Sequence, residues 1–168
     1  MNLTPKHAFF VAGTGRHLDK LHAFEKALLS AGPIAHNLVA VSSILPANCT
    51  IIKPDEGFGM LTQGAITFCV MAREDVCKES QYASASVGVV KLKKLDRIGY
   101  LSEYHGSAAG EEETATISKR LATEMFETKF GVRTRETDLE RLDGATASIK
   151  HHGGECWVSA VALCIFVL

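Results

Sequence analysis

Two adjacent serines, Ser42 and Ser43, end an apolar and β-branched run, and Pro46 follows shortly after them. A serine hydroxyl held beside the peptide bond that precedes it can attack that carbonyl as a nucleophile. The resulting ester can then break by β-elimination. A serine left at a new N-terminus in this way becomes a pyruvoyl group, a ketone made from the backbone. Because Ser-Ser pairs are common, the alternative interpretation is two small residues at the end of a strand.

Hydrophobic patterning predicts the strand that positions these serines. The run from Asn37 to Leu45 is rich in β-branched and apolar residues, which indicates one continuous strand carrying both serines near its end. Further strands are predicted over residues 7–12, 51–52, 65–71, 82–92, 97–104, 145–150 and 156–167.

Two amphipathic helices are predicted. The first covers residues 19–31, with Asp19 as its N-cap and an apolar stripe formed by Leu21, Phe24 and Leu28. The second covers residues 110–130, begins with three glutamates that suit the positive end of a helix dipole, and ends at Gly131. Its predicted apolar stripe is formed by Ile117, Leu121 and Met125.

The order of these elements predicts the fold class. Strands outnumber helices and several follow one another directly, which favours α+β layers over a doubly wound parallel sheet. Two helices could cover the outer faces of two packed sheets, which gives a four-layer α/β/β/α sandwich. The 168 residues, 46% hydrophobic and 22% charged, are consistent with a single domain over residues 1–168 that buries a real core.

Charge and hydropathy exclude several classes of partner. The net charge is −1 and there is no basic run, so a nucleic-acid partner is not expected. The N-terminal residues lack the pattern of a secretory signal. The apolar run over 157–168 is shorter than the ~20 residues of a membrane-spanning helix, so we expect a buried strand and no membrane partner. Five cysteines, an odd number in mostly apolar stretches, indicate core residues in a reducing cytoplasm.

Three weaker motifs are interpreted structurally. Gly13-Thr14-Gly15 lacks the third glycine of a phosphate-binding loop and is interpreted as a turn. The segment from His151 to Cys156 contains metal-ligating residue types without the spacing of a recognisable zinc site, so no metal is predicted. Cys69 and Cys77 are interpreted as core residues and not as a redox pair.

The segment from Asn37 to Pro46 resembles the processing segment of pyruvoyl-dependent arginine decarboxylases. Residues 23–32 resemble the helix that precedes this segment in that family, and residues 99–104 resemble a second active-site strand. The glutamate-rich helix from Gly110 fits the next element. The resemblance covers most of the chain in length and order, and it implies the same sandwich fold.

The resemblance also implies a reaction and an assembly. Cleavage between Ser42 and Ser43 would give a β subunit of residues 1–42 and an α subunit of residues 43–168. Ser43 would become the covalent pyruvoyl cofactor, an electron sink that performs the task of pyridoxal phosphate elsewhere. The implied reaction converts L-arginine to agmatine and carbon dioxide. The family forms trimers of processed units with active sites at their interfaces.

Glu103 is the candidate proton donor. Strand periodicity places Glu103 on the same face as Gly99 and Leu101. A carboxyl on an apolar face should have a raised pKa, which a general acid requires. A strand-end carboxylate in solvent is the alternative, and the resemblance implies the catalytic role.

Asn37 matches a position that the family uses in processing or substrate orientation, although an asparagine at a strand start is often a turn residue. Strand periodicity puts Asn37 and Ser43 on one face, roughly 20 Å apart along a straight strand. One small substrate could not touch both in the same chain unless the strand bends. This separation predicts a site shared between subunits, which agrees with the family's trimer.

Glu25 lies at the edge of the first helix's stripe, where a boundary charge is common. The resemblance implies a carboxylate at this position that binds the guanidinium of the substrate, a planar group that suits two-pronged pairing. The family carries Asp here, so Glu25 is a conservative departure. The added methylene of Glu25 leaves the substrate preference open. Ile34 and His36 are also larger than the residues expected nearby, which leaves it open as well.

Two alternatives remain open from the sequence. The protein could use the same fold and cofactor on another amino acid, such as histidine, although Glu25 favours a cationic side chain. It could instead be an unprocessed, non-catalytic protein that oligomerises or binds a ligand. The two alternatives differ in whether the chain is split after Ser42.

Overall fold

The structure is a computed structural model that describes residues 3–93, 97–107, 110–140 and 142–168. The strands are β1 His7–His17, β2 Asn37–Ala40, β3 Ile44–Leu45, β4 Thr50–Ile51, β5 Ile66–Val76, β6 Tyr82–Val90, β7 Gly99–Gly106, β8 Ala145–Lys150 and β9 Trp157–Val167. The helices are α1 Lys20–Ala31, α2 Pro54–Met60 and α3 Glu111–Phe130, with a short 3₁₀ turn at Glu136–Asp138. Helix α2, which contains two glycines, has no counterpart among the predicted elements.

Two sheets form the interior of the molecule. The first sheet has the strand order β2-β5-β9-β1-β4 and the second has the order β3-β7-β6-β8. They pack face to face over a shared apolar core that includes Val70, Val87 and Leu101. Helices α1 and α2 cover the outer face of the first sheet, and α3 covers the outer face of the second. The predicted α+β class and α/β/β/α layering are therefore confirmed.

Strand β9 is the centre of the first sheet. It pairs antiparallel with β1 on one side and with β5 on the other. Every residue from Val158 to Val167 is buried, so the C-terminal apolar run is a core strand, as predicted. Among the described residues, no helix is long and apolar enough to cross a membrane.

Gly13 and Gly15 lie inside strand β1, so their interpretation as a turn is wrong. Both face α1, whose backbone packs directly on them. A Cβ atom at Gly13 would collide with the Ala27 carbonyl, and one at Gly15 would collide with the Ala23 carbonyl. The two glycines therefore allow close packing of helix on strand, which buries the small residues Ala23 and Ala27.

Helix α1 begins and ends as predicted but presents a different face to the core. The Asp19 side chain accepts a hydrogen bond from the His22 amide at 3.0 Å, and Gly32 ends the helix. Leu28 is buried, whereas Leu21 is 71% exposed. The predicted stripe is wrong at Leu21, because the contact with Gly13 and Gly15 selects the alanine face.

Helix α3 shows the same effect. Its predicted stripe lies beside the true buried face, and Met125 is exposed. The Ser118 carbonyl sits so close to Gly88 of β6 that a Cβ there would collide with it. The predicted C-cap is confirmed, since Gly131 adopts the left-handed conformation with φ 61°. The buried residues of α3 are Thr114, Ser118, Ala122 and Phe126.

All five cysteines are free thiols. Cys49, Cys69 and Cys164 are buried in the core, as predicted. Cys77 is exposed at the end of β5, so its interpretation as a core residue is wrong.

His151 closes the hairpin between β8 and β9. The Gly153 amide donates to His151 Nδ1 at 3.0 Å, so the ring proton sits on Nε2, which lies 3.0 Å from the Cys156 carbonyl. Both ring nitrogens are therefore used by backbone groups of the turn. In the part of the chain that the structure describes, no group of three or more His, Cys, Asp or Glu side chains is placed to hold a metal ion.

Candidate active site

The serine pair lies where the chain crosses from one sheet to the other. The single strand predicted from Asn37 to Leu45 is wrong, because β2 runs parallel to β5 in the first sheet and β3 runs antiparallel to β7 in the second. The Val41 amide still donates to the Cys69 carbonyl at 2.9 Å, after which the chain leaves the first sheet. Ser42 and Ser43 therefore lie in the connection between the two sheets, and neither belongs to a β-strand.

Hydrogen bonds hold both serine carbonyls. The Leu101 amide of β7 donates to the Ser43 carbonyl at 2.8 Å. The Ile44 amide donates to the Ser42 carbonyl at 3.0 Å, which forms a γ-turn centred on Ser43. The carbonyl that the Ser43 hydroxyl would attack thus already has an N–H donor on its oxygen, as a developing oxyanion requires.

Glu103 lies on β7, on the face that points toward the first sheet. It is two residues from Leu101, about 7 Å along the strand, and shares its face as predicted. Glu103 is exposed in the single chain, as the alternative interpretation had it, yet partial burial raises its pKa, and the nearby His105 opposes this with a smaller lowering effect. Burial, with a smaller contribution from Glu103, also raises the pKa of Cys69 to about 11. Glu103 therefore lies near the residue that anchors the start of the crossing.

A close contact between the His105 ring and the Glu74 carboxylate was not predicted. His105 Nδ1 lies 2.8 Å from Glu74 Oε2 of β5, so the pair bridges the two sheets. His105 follows Glu103 by two residues, and this spacing could have placed both on one face. Glu74 could not have been found, because sequence periodicity does not reveal which strands face each other.

Asn37 is exposed at the start of β2. Its backbone amide donates to the Ala65 carbonyl at 2.9 Å, and its Nδ2 donates to the Gly64 carbonyl at 2.8 Å. These bonds fix the loop that enters β5. Because the chain changes sheets after β2, the straight-strand distance from Asn37 to Ser43 does not apply.

Glu25 is exposed on α1, outside the first sheet, whereas Glu103 is exposed on β7 of the second sheet, on the face that points toward the first sheet. A whole sheet therefore separates the two carboxylates within one chain. No hydrogen bond or ion pair among the described residues joins any two of Ser43, Glu103, Asn37 and Glu25.

Ile34 and His36 differ in their surroundings. Ile34 is buried in the core beneath α1. His36 is half-buried, and neither ring nitrogen has a hydrogen-bond partner among the described residues.

Two cavities of the described chain lie beside α3. One of about 560 Å³ is lined by residues that include Lys93, Phe126 and Arg133. Another of about 750 Å³ is lined by residues that include Val89, Thr123 and Leu139. At the serine crossing, the Ser42 side chain is exposed and Ser43 is half-buried.

Several large apolar side chains are exposed elsewhere on the same chain. Leu18 and Leu21 flank the start of α1, and Leu29 lies near its end. Ile66 begins β5, beside the edge strand β2. These four side chains are between 61% and 74% exposed, and exposed apolar groups beside an unpaired sheet edge are typical of surfaces that contact another chain.

Comparison with known proteins identifies the family. The family model described as pyruvoyl-dependent arginine decarboxylase matches residues 7–168. Pyruvoyl-dependent arginine decarboxylase 2 of Archaeoglobus fulgidus is 40% identical over 169 residues, covering 100% of both chains. Pyruvoyl-dependent arginine decarboxylase 1 of Methanosarcina acetivorans is 34% identical over 166 residues, covering 99% of this chain and 98% of that protein. The Methanocella arvoryzae relative is 35% identical over 168 residues, with 99% and 98% covered.

The local geometry is compatible with a pyruvoyl group at position 43. Residue 43 is half-buried in the crossing, its carbonyl is anchored to β7, and the carbonyl before it has an amide donor. The family predicted from the residues is confirmed by these matches. The chain belongs to the pyruvoyl-dependent arginine decarboxylases, a family of enzymes whose cofactor is a covalently held pyruvoyl group.

Proposed function

We propose that this protein converts L-arginine to agmatine and carbon dioxide with a pyruvoyl group that it makes from its own Ser43. The observation that carries the proposal is the position of the Ser42–Ser43 peptide. It lies in the crossing between sheets, with its carbonyl oxygen on the Ile44 amide. Full-length similarity to decarboxylases of this name supports the choice of reaction.

Self-cleavage begins with the Ser43 side chain. Its oxygen attacks the Ser42 carbonyl carbon, and the peptide C–N bond breaks as the ester C–O bond forms. β-Elimination then releases the Ser42 carboxylate and leaves an unsaturated residue 43. Water hydrolyses this enamine, releases ammonia and leaves the ketone. The Ile44 amide stabilises the negative charge that develops on the Ser42 oxygen in the first step.

The two fragments stay together after cleavage. Strand β1 belongs to residues 1–42 and β9 to residues 43–168. They pair over eleven residues, from His7 opposite Val167 to His17 opposite Trp157. The small fragment is therefore the neighbour of the central strand of the first sheet, and its release would expose the core.

In a bound amino acid, the bond between the α-carbon and the carboxylate carbon breaks when carbon dioxide leaves. The pyruvoyl group supplies an electron sink for the electron pair of that bond. Glu103 holds the proton that replaces the departing carboxylate on the α-carbon. Its raised pKa keeps this carboxyl protonated to a higher pH than an ordinary glutamate, which suits a general acid. Glu25 binds the guanidinium of the substrate, and Asn37 orients the substrate.

We assign the active sites to the interfaces of a trimer. Glu25 and Glu103 lie in different layers of one chain, so one small substrate reaches both only if they come from neighbouring copies. The exposed side chain of Ser42 and the exposed leucines of α1 support this arrangement. We place the enzyme in the cytoplasm, since all five of its cysteines are free thiols.

A panel of amino acids tests the substrate. Purified protein should release carbon dioxide from L-arginine faster than from L-lysine, L-ornithine or L-histidine, because a carboxylate pairs two-pronged with guanidinium alone. Agmatine should form in equal amount. Absence of release from arginine above background would contradict the proposed reaction, and release from histidine alone would move the proposal to that substrate.

Mixed assemblies test the shared site. Glu25→Ala and Glu103→Gln chains, each nearly inactive alone, should regain activity when co-folded, because some interfaces then combine the intact Glu25 of one copy with the intact Glu103 of its neighbour. Random mixing should restore about a quarter of the sites. If each site lay within one chain, no mixture would contain an intact site and the activity would stay at background.

A further inference from the structure

Lys91 is a buried ammonium group. It follows β6 directly and is 2% exposed. Its Nζ donates a hydrogen bond to the Cys49 carbonyl at 2.9 Å. An ammonium has three N–H donors, yet no carboxylate of the described residues forms an ion pair with Lys91. A buried charge with one neutral partner is costly, and neither the core nor the proposed decarboxylation explains why this one is kept.

The carbonyl that Lys91 holds belongs to the turn that follows the serine pair. The turn from Pro46 to Cys49 is closed by a hydrogen bond from the Cys49 amide to the Pro46 carbonyl at 3.1 Å. It returns the chain to the first sheet, where the Thr50 amide donates to the Lys6 carbonyl at 2.9 Å. The chain therefore crosses between the sheets twice within ten residues, once at the serines and once at this turn.

Strand β3 is the short piece between the two crossings. It has two residues, and Leu45 pairs with Gly99 of β7. On the other side of β7, Tyr100 pairs with Val90, so Lys91 is the neighbour of Gly99 in the adjoining strand. A Cβ at position 99 would press on the Val90 carbonyl and on Leu45. The glycine thus lets β7 pack closely against the end of β6 on one side and against Leu45 of β3 on the other.

Two anchors fix the register of β3. At its start, the Leu101 amide holds the Ser43 carbonyl, and beyond its end, the Lys91 ammonium holds the Cys49 carbonyl. Lys91 is itself held, because its carbonyl accepts a hydrogen bond from the Glu140 amide at 2.8 Å. A two-residue strand has few ladder bonds, so a side-chain anchor beyond its far end adds to the bonds that hold it.

We propose that Lys91 is a positioning residue for self-cleavage, whose buried ammonium holds the Pro46–Cys49 turn and so keeps the Ser43 hydroxyl aimed at the Ser42 carbonyl. This rests on the proposed self-cleavage and adds a residue to it. Lys91 touches none of the reacting atoms. Its effect is on the rate of splitting, since small displacements of a nucleophile lower such rates strongly.

The test compares Lys91→Met, Lys91→Arg and Lys93→Met with the unchanged chain. Methionine keeps the length of the buried stem and removes the charge and the donor. Lys93→Met is the matched control, because Lys93 Nζ also donates to a backbone carbonyl, that of Thr137 at 2.7 Å, but is exposed and away from the turn. Folded protein is first isolated by gel filtration. Denaturing mass spectrometry then measures what share of its chains is split after Ser42, and the melting temperature of each variant is measured in parallel.

We expect Lys91→Met to fold and to split about 10- to 100-fold more slowly than the unchanged chain. Lys91→Arg, which retains a charged donor, should split faster than Lys91→Met, and Lys93→Met should split normally. Folded Lys91→Met that splits at the unchanged rate would overturn the proposal, as would failure of both Lys91 variants to fold, since the ammonium would then serve the fold itself. If the unchanged chain does not split, the proposed function itself fails, and the role of Lys91 fails with it.

Discussion

Replacing Ser43 with alanine will leave one intact chain of 18.1 kDa and no decarboxylase activity. The variant lacks the oxygen that attacks the Ser42 carbonyl, so neither the ester nor the ketone can form. The fold should persist, because Ser43 is held through its backbone carbonyl, which alanine retains. Denaturing mass spectrometry measures the split, and carbon dioxide release from arginine measures the activity.

Ser42→Ala is the matched control for this prediction. Ser42 supplies a carbonyl and not a nucleophile, and its exposed side chain forms no hydrogen bond among the described residues. We expect this variant to split after residue 42 and to remain active. A Ser43→Ala chain that still splits at this bond would show that another group attacks it, and that Ser43 is not the source of the ketone.

Replacing Glu103 with glutamine should leave self-cleavage intact and lower kcat for decarboxylation about 10²- to 10⁴-fold. Glutamine has nearly the same shape but cannot deliver a proton to the α-carbon. Glu124→Gln is the control, since Glu124 is an exposed carboxylate on α3 paired with Arg120 and should change neither step. A Glu103→Gln variant that is split and fully active would remove Glu103 from the mechanism.

The pH dependence of the unchanged enzyme should carry the signature of Glu103. A general acid works in its protonated form, so activity falls as the pH rises through the pKa of the acid. Because burial raises the pKa of Glu103, this decline should lie above the ordinary range of a glutamate. The residual activity of Glu103→Gln should not fall with rising pH in this range. A decline that persists in this variant would belong to a different titrating group.

Local sequence patterns predicted the sandwich but not the crossing at its centre. The run from Asn37 to Leu45 is β-branched and apolar throughout, and each half does form a strand. Its division between two sheets depends on partners far along the chain, β5 for the first half and β7 for the second. Only the serines and Pro46 hinted at a break, and they were interpreted as the end of one strand.

The wrong helix faces have a related cause. Hydrophobicity favoured Leu21 in α1, whereas the structure buries Ala23 and Ala27 against two glycines of β1. Alanines spaced four apart in a helix, matched by glycines spaced two apart in a strand, were the available signal. The proposed trimer explains exposed Leu21 through cover by a neighbouring copy.

The candidate site was predictable in its parts and not in its arrangement. Strand periodicity placed Glu103 on the same face as Leu101, and its pKa is raised as expected, although its side chain is exposed in the single chain. Glu74 and Lys91 were missed because each acts across the gap between sheets or strands, where sequence spacing carries no information. The separation of Glu25 from Glu103 likewise emerged only from the layer order.

Denaturing mass spectrometry of freshly folded, unchanged protein tests the central claim most directly. We expect two fragments, residues 1–42 with a free C-terminal carboxylate on Ser42, and residues 43–168 with an N-terminus blocked to Edman degradation and reactive toward carbonyl reagents. A single chain of 18.1 kDa, or a larger fragment with a free serine amine at its N-terminus, would contradict the claim that this protein makes its cofactor from Ser43.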